Sequence, residues 1–216
     1  MWEPDANVRD TVGANPYAVR SVLDQPTVRA LHDVNRAFLG HAAVLLGGGA
    51  QQPERLGQLG AVLGLPPTKR ALAAECPYTL FNLCFQDGAF WRSVQAETRA
   101  SLPMSGPAAA FGRAAVFLAW HLVRSRELAA PIVLGMTAPV VEVWRVLPVS
   151  ALDHVAGAVL PHLSARWACH RSFWPALAAA ADTGNVQQLN DVRLLGMQLL
   201  AADTVRATFE AAAYDT

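Results

Sequence analysis

Alanine fills 40 of the 216 positions, whereas isoleucine occurs once, at Ile132. Alanine has the best helix propensity, and β-branched residues are what a pleated sheet favours. No long alternating apolar and polar run offsets that skew, so the chain predicts a mainly α, compact multi-helix protein with at most a short strand at 78–85. Hydrophobic residues make up 53% and charged residues 16%, which excludes disorder because the apolar surface offsets the entropy of ordering. Seventeen Lys and Arg balance seventeen Asp and Glu. The balance is 9 against 9 in residues 1–100 and 8 against 8 afterwards. Neither half is a polycation, which argues against strong phosphate-driven binding by the isolated chain.

Cys76, Cys84 and Cys169 follow no disulfide-scaffold spacing and read as reduced, buried thiols of a cytoplasmic protein. The start, Met1 to Asp5, offers neither a positive n-region nor a following apolar stretch, so no signal peptide is expected. The most apolar windows, 107–123 and 128–149, carry Arg113, His121, Glu142 and Arg145. They fall short of the roughly 20 clean apolar residues of a membrane span and predict buried helices.

Punctuation divides the chain into an irregular arm (1–25), a first helical unit (26–103), a second helical unit (104–203) and a fraying tail (204–216). Pro26 opens a helix carrying Leu31, Val34, Phe38 and Leu45 up to Gly47-Gly48-Gly49. Short helices follow over 55–65 and 66–75, and Asp87 caps one bearing Phe90, Trp91 and Val94. After a connector at 101–107, helices are expected over 108–124, 126–135, 138–147, 149–159, 173–181 and 186–202.

The two units share a pattern. Leu65-Pro66 corresponds to Leu147-Pro148, Pro77 to Pro161, and Phe90-Trp91 to Phe173-Trp174, at offsets of 82, 84 and 83 residues. Ala- and Leu-rich helices align easily by chance, but two Phe-Trp pairs at a matched offset argue for duplication. Phe90, Trp91, Phe173 and Trp174 are the anchors of the repeat.

Leu134-Gly135-Met136, the helix LPVSALDHVA (147–156), the turn Trp167-Ala168-Cys169-His170-Arg171 and VQQLNDVRLLGMQLL (186–200) resemble, in that order, the FlhD family. In the first unit, LHDVNRAFLGHAAVLL (31–46) and AECPYTLFNLCFQDGAFW (74–91) are similar to that family's opening helix and central turn. FlhD is the helical subunit of the bacterial flagellar transcriptional activator. The resemblance implies an all-α protein that joins a zinc-binding FlhC-like partner to reach promoters, with little DNA affinity of its own. Family members are about half this length and end in a basic segment that this chain lacks. Two FlhD-like units in one chain imply a monomeric pseudo-dimer or small oligomer.

Catalytic signatures are missing from the expectation. Gly57-x-x-Gly60-x-x-x-Gly64 follows no strand and lacks the Walker lysine, so it reads as close helix approach rather than a phosphate loop. His154, His162 and His170 lie eight residues apart and do not match metal-ligand pairs. Asp33, Glu75, Glu142 and Asp153 are scattered. No enzyme activity, cofactor or metal is therefore expected. The richest candidate surface is His162 to Trp174, with His162, Arg166, Trp167, His170 and Arg171 as partner- or DNA-binding candidates beside Arg92, since Arg and Trp are interface anchors. The alternative there is that Phe173 and Trp174 fill the core while the arginines are solvated. The expected function is a transcriptional regulator subunit; the alternative is an adaptor or chaperone of a motility or secretion system that binds no DNA. An enzyme with a deep polar pocket ranks third.

Overall fold

The computed structural model describes residues 23–46, 57–96, 105–126 and 128–214, with side chains as far as residue 210. Its first helix, α1 (Gln25–Leu46), is started by Asp24, whose carboxylate accepts from the Thr27 amide at 3.0 Å. Helical spacing puts Leu31, Val34, Asn35, Phe38, Leu39, Ala42 and Leu46 on its buried face. A 3₁₀ turn (Gly57–Leu59) leads into α2 (Gly60–Leu63), and Pro66-Pro67 opens α3 (Pro67–Ala73). Strand β1 (Phe81–Asn82) precedes α4 (Gly88–Ala96), and α5 (Gly106–Ser125) begins the second half. Then come a π-helical turn (Ala130–Leu134), α6 (Ala138–Val146) and α7 (Leu152–Val159). A 3₁₀ turn (Leu160–His162), strand β2 (Ser164–Ala165), α8 (Phe173–Thr183) and α9 (Val186–Tyr214) complete the order.

The mainly α class is as the composition predicts, with local differences. The 126–135 helix is a π-helical turn over Ala130–Leu134, closed by Gly135 at φ 61°. The segment expected to fray at 204–216 is helical to Tyr214. It contains no Gly or Pro, and the Thr204 and Thr208 hydroxyls bond back to the Leu200 and Thr204 carbonyls at 2.9 Å each. The glycine stop at 47–49 and most of the arm and connector lie outside the described residues. Among those described, no single helix is long and apolar enough to cross a membrane. Residues 138–146 and 149–162 qualify only as a pair bent by 103°, and Val140, Val141, Val143, Trp144, Leu152, Val155 and Val159 of that pair are buried in the core.

The expected units do not form separate globules. One connected apolar core runs from Leu23 to Leu200, with Trp91, Trp144 and Trp174 buried in it. Helices α1 and α5 pack together, and Arg126 beyond α5 bridges Asp24 before α1 at 2.8 Å. The Phe-Trp helices cross over. Helix α4 of the first half packs on α6 of the second, and α8 of the second packs on α2 of the first. Trp91 accordingly stacks on Trp144, ring centres 4.6 Å apart.

At the crossover, β1 and β2 pair antiparallel, Phe81 opposite Ala165 and Asn82 opposite Ser164. Adding 83 to 81 and 82 gives 164 and 165, so exchanging the halves maps this register onto itself. That is a local two-fold relation. The only non-glycine residues with positive φ among those described are Cys84 (56°) and Trp167 (50°), again 83 apart. Asp87 donates its amide to the Cys84 carbonyl at 2.9 Å, and His170 to that of Trp167 at 2.8 Å. The Asp87 carboxylate accepts from Phe90 N at 2.8 Å, while His170 Nδ1 accepts from Phe173 N at 3.1 Å. Each indole then donates back to its preceding turn, Trp91 to Cys84 O at 2.9 Å and Trp174 to Arg166 O at 2.8 Å.

Candidate functional site

The segment 162–174 is built around the second of these turns. Leu163, Ala165, Arg166, Phe173 and Trp174 are buried in it, while His162, Ser164, Cys169, Arg171 and Ser172 are exposed. Phe173 and Trp174 are fully buried, as the core-filling alternative has it. Arg166 is the clearest correction to the expectation of an interface arginine, because it is only 4% exposed. Its amide bonds the Leu80 carbonyl at 3.0 Å. Its guanidinium donates to Thr79 Oγ1 at 3.3 Å and to the Leu134 carbonyl. Burial lowers its pKa to about 10, against the pull of Asp203 and Tyr78, so it remains a cation at neutral pH held by a hydroxyl and a carbonyl. A guanidinium so engaged cannot reach phosphate.

Trp167 is half-buried, edges Tyr78 and Phe173 at ring separations of 5.6 and 4.7 Å, and donates to Asp203 at 2.7 Å. His170 is half-buried two residues before Ser172, the N-cap of α8, and its Nδ1 accepts from the first helical amide, Phe173 N. Arg171 and Cys169 are exposed. His162 is exposed too, with its ring 4.7 Å from Phe90 of the first half. Arg92 is exposed on α4. The structure thus joins His162 to the first Phe-Trp pair, leaves Arg92 and Arg171 at the surface and spends Arg166, Trp167 and His170 internally.

Several decisive residues carry no motif. Gln58 donates its amide to the Ala168 carbonyl at 2.9 Å, and Thr137 donates to Phe85 at 3.2 Å. Phe85 and Ala168 are again 83 apart, and each is held by the opposite half. Of the glycines at 57, 60 and 64, only Gly57 makes a close approach: a Cβ there would sit 2.3 Å from the Ala168 oxygen. Asn35 spans three bonds, to the Ala74 and Tyr78 carbonyls at 3.2 and 2.9 Å and from the Leu80 amide at 3.0 Å. Beneath α9, the Cys76 thiol, Tyr78 hydroxyl and Arg193 guanidinium meet. Burial raises the thiol pKa to about 11 and the phenol well above its ordinary 10.0.

Among the described residues, no three His, Cys, Asp or Glu side chains are placed to hold a metal ion. No family model matches the chain, and neither does any curated protein or solved structure. At the surface, Arg92 and Arg171 present guanidinium forks whose geometry suits carboxylate or phosphate, and His162 sets an imidazole against the Phe90 ring.

Proposed function

We propose that this chain is a non-enzymatic, cytoplasmic subunit of a transcription-regulating assembly. In this reading it comprises two tandem FlhD-like units, 26–103 and 104–203, and reaches promoter DNA through an FlhC-like partner. The observation that carries the proposal is the recurrence of one 83-residue offset in space: it relates the paired strands β1 and β2, the positive-φ residues Cys84 and Trp167, and the cross-half bonds at Phe85 and Ala168. A chain with internal two-fold symmetry offers matched faces to a two-fold partner or to paired half-sites on DNA. Zero net charge favours DNA contact by the complex rather than by this chain alone. Arg92, Arg171 and His162 are the side chains available at its rim.

The adaptor reading, without DNA, draws support from exposed apolar side chains on the paired helices, notably Val44 (68% exposed) and Phe117 (54%). One experiment separates the two. A gel-shift titration of the full chain on duplex fragments from upstream regions of its native genome, with random-sequence duplex as competitor, is run at two salt concentrations, with and without proteins co-purified from its native cell. Sequence-specific shifts that require the co-purified proteins support the regulator reading. Loss of specificity under every condition rejects it in favour of the adaptor.

A further inference from the structure

We propose that the outer face of α5, centred on Phe117 and Trp120, is a docking surface for an acidic amphipathic helix of a partner protein. The surface rests on the reading above only in that the chain works through a protein partner, which regulator and adaptor both need. A shift of 84 residues, the offset of Pro77 and Pro161, lays the buried Leu31, Val34 and Phe38 of α1 on the buried Ala115, Leu118 and Leu122 of α5. The same shift carries Asp33 and Arg36 to Phe117 and Trp120. On α1 these outward positions hold a solvated ion pair, 2.6 Å apart. On α5 they hold two aromatic rings with centres 6.0 Å apart, and Phe117 is 54% exposed. Aromatic side chains at positions that otherwise face water are the composition of a contact surface.

The patch is held rigid and is larger than one helix. The Trp120 indole donates to the Leu147 carbonyl at 2.9 Å, and the Arg124 guanidinium lies 5.1 Å from its ring centre. Arg124 in turn donates to the Arg145 carbonyl at 3.1 Å. An indole fixed at its edge and on its face has little rotamer freedom left to lose on binding. The same bonds bring the turn after α6 alongside, where Val146 (63% exposed) and Val149 (61%) flank the buried Leu147.

Charge names the occupant. Arg113 and His121 lie one turn to either side of Phe117, and Arg124 one turn beyond Trp120, all three exposed. Helix α5 itself carries no Asp or Glu. Among the described residues of α5 to α7 the carboxylates are Glu142, which meets Arg145 at 3.6 Å, and Asp153 on α7. An apolar centre strung between cations fits a helix that presents apolar side chains at i, i+4 and i+7 with carboxylates beside them. A phosphate backbone fits it poorly, because it offers nothing apolar to Phe117 and the two valines. A second copy fits it poorly too, because two such faces would set cation against cation.

Selection of a phage-displayed library of random peptides, each about four helical turns long, on the immobilised full chain tests this. No DNA is present, so this proposal can fail while the gel shift succeeds, and the reverse. The enriched peptides should be acidic and carry apolar residues at helical spacing. A fluorescein-labelled peptide from that pool should bind Phe117→Ala at least about tenfold more weakly than the native chain. It should bind Arg113→Glu about fivefold more weakly, and Arg92→Glu as the native chain does. Phe117→Ala and Arg113→Glu should both keep the native circular dichroism, since both side chains lie at the surface. A pool with no acidic bias, or equal binding by Phe117→Ala and the native chain, overturns the proposal. A native dimer in sedimentation that Phe117→Ala dissociates also overturns it, assigning the face to a second copy. Displacement of the labelled peptide by a synthetic peptide of residues 1–22 does the same, assigning the face to this chain's own arm.

Discussion

Asn35 and Arg166 each place a polar group where the surrounding pattern is apolar, and each resolves that conflict with bonds to distant backbone. Asn35 lies on the same helical face as Leu31, Val34 and Phe38, and its three bonds pin the loop between α3 and β1. Replacing it with alanine strands two carbonyls and an amide, and should lower stability by about 3 kcal/mol in a urea titration. Arg166→Ala should cost about 2–4 kcal/mol by the same measurement, since Thr79 and the Leu134 carbonyl lose their donor in the core. Arg171→Ala, at the surface, should leave stability unchanged within about 0.5 kcal/mol and act only on partner or DNA binding. The sequence made both arginines equal candidates. Nothing local distinguishes them, because burial of position 166 depends on α9 and the Ala130–Leu134 turn packing over it.

Helix starts were legible where the residue type names the role, and hidden where another type fills it. Asp87 reads as a cap and is one; His170 does the same work through Nδ1, yet histidine is not a residue one looks for at a cap. Its function becomes evident only by adding 83 to 87. Asp87→Ala and His170→Ala should each cost about 1 kcal/mol, and the double variant should show the sum, because the caps serve different helices. Calorimetric or urea midpoints of the three variants check this. The extent of α9 was missed for the opposite reason. Mild acidity near the end suggested a fraying tail, but alanine propensity and the lack of Gly or Pro from 204 onward let the helix run to Tyr214.

At the level of the molecule, crossing of α4 and α8 into opposite halves makes the two expected units depend on one another. Urea unfolding should accordingly follow one transition, with tryptophan fluorescence and circular dichroism superimposed; two separable steps would contradict the shared core. The pH dependence follows from the buried groups. Because Cys76 titrates at about 11 in the fold against an ordinary 9.0, the neutral thiol favours folding. That contribution is complete below pH 9 and is lost as pH rises toward 11, by about 2–3 kcal/mol. Cys76→Ala should flatten this alkaline limb in urea titrations. His32 has its pKa lowered by burial, so protonation favours unfolding, and stability should fall as pH drops below its ordinary 6.5. By itself the sequence determined the helical class and the positions of most helices, because propensity, apolar spacing and proline act over a few residues. Only the tertiary structure decided that the two halves interlock through a shared strand pair, that Arg166 is internal and that α9 packs over Tyr78 and Phe173. Those outcomes rest on contacts between residues more than a hundred positions apart in some cases, such as Gln58 with Ala168, and no local pattern encodes which surfaces meet.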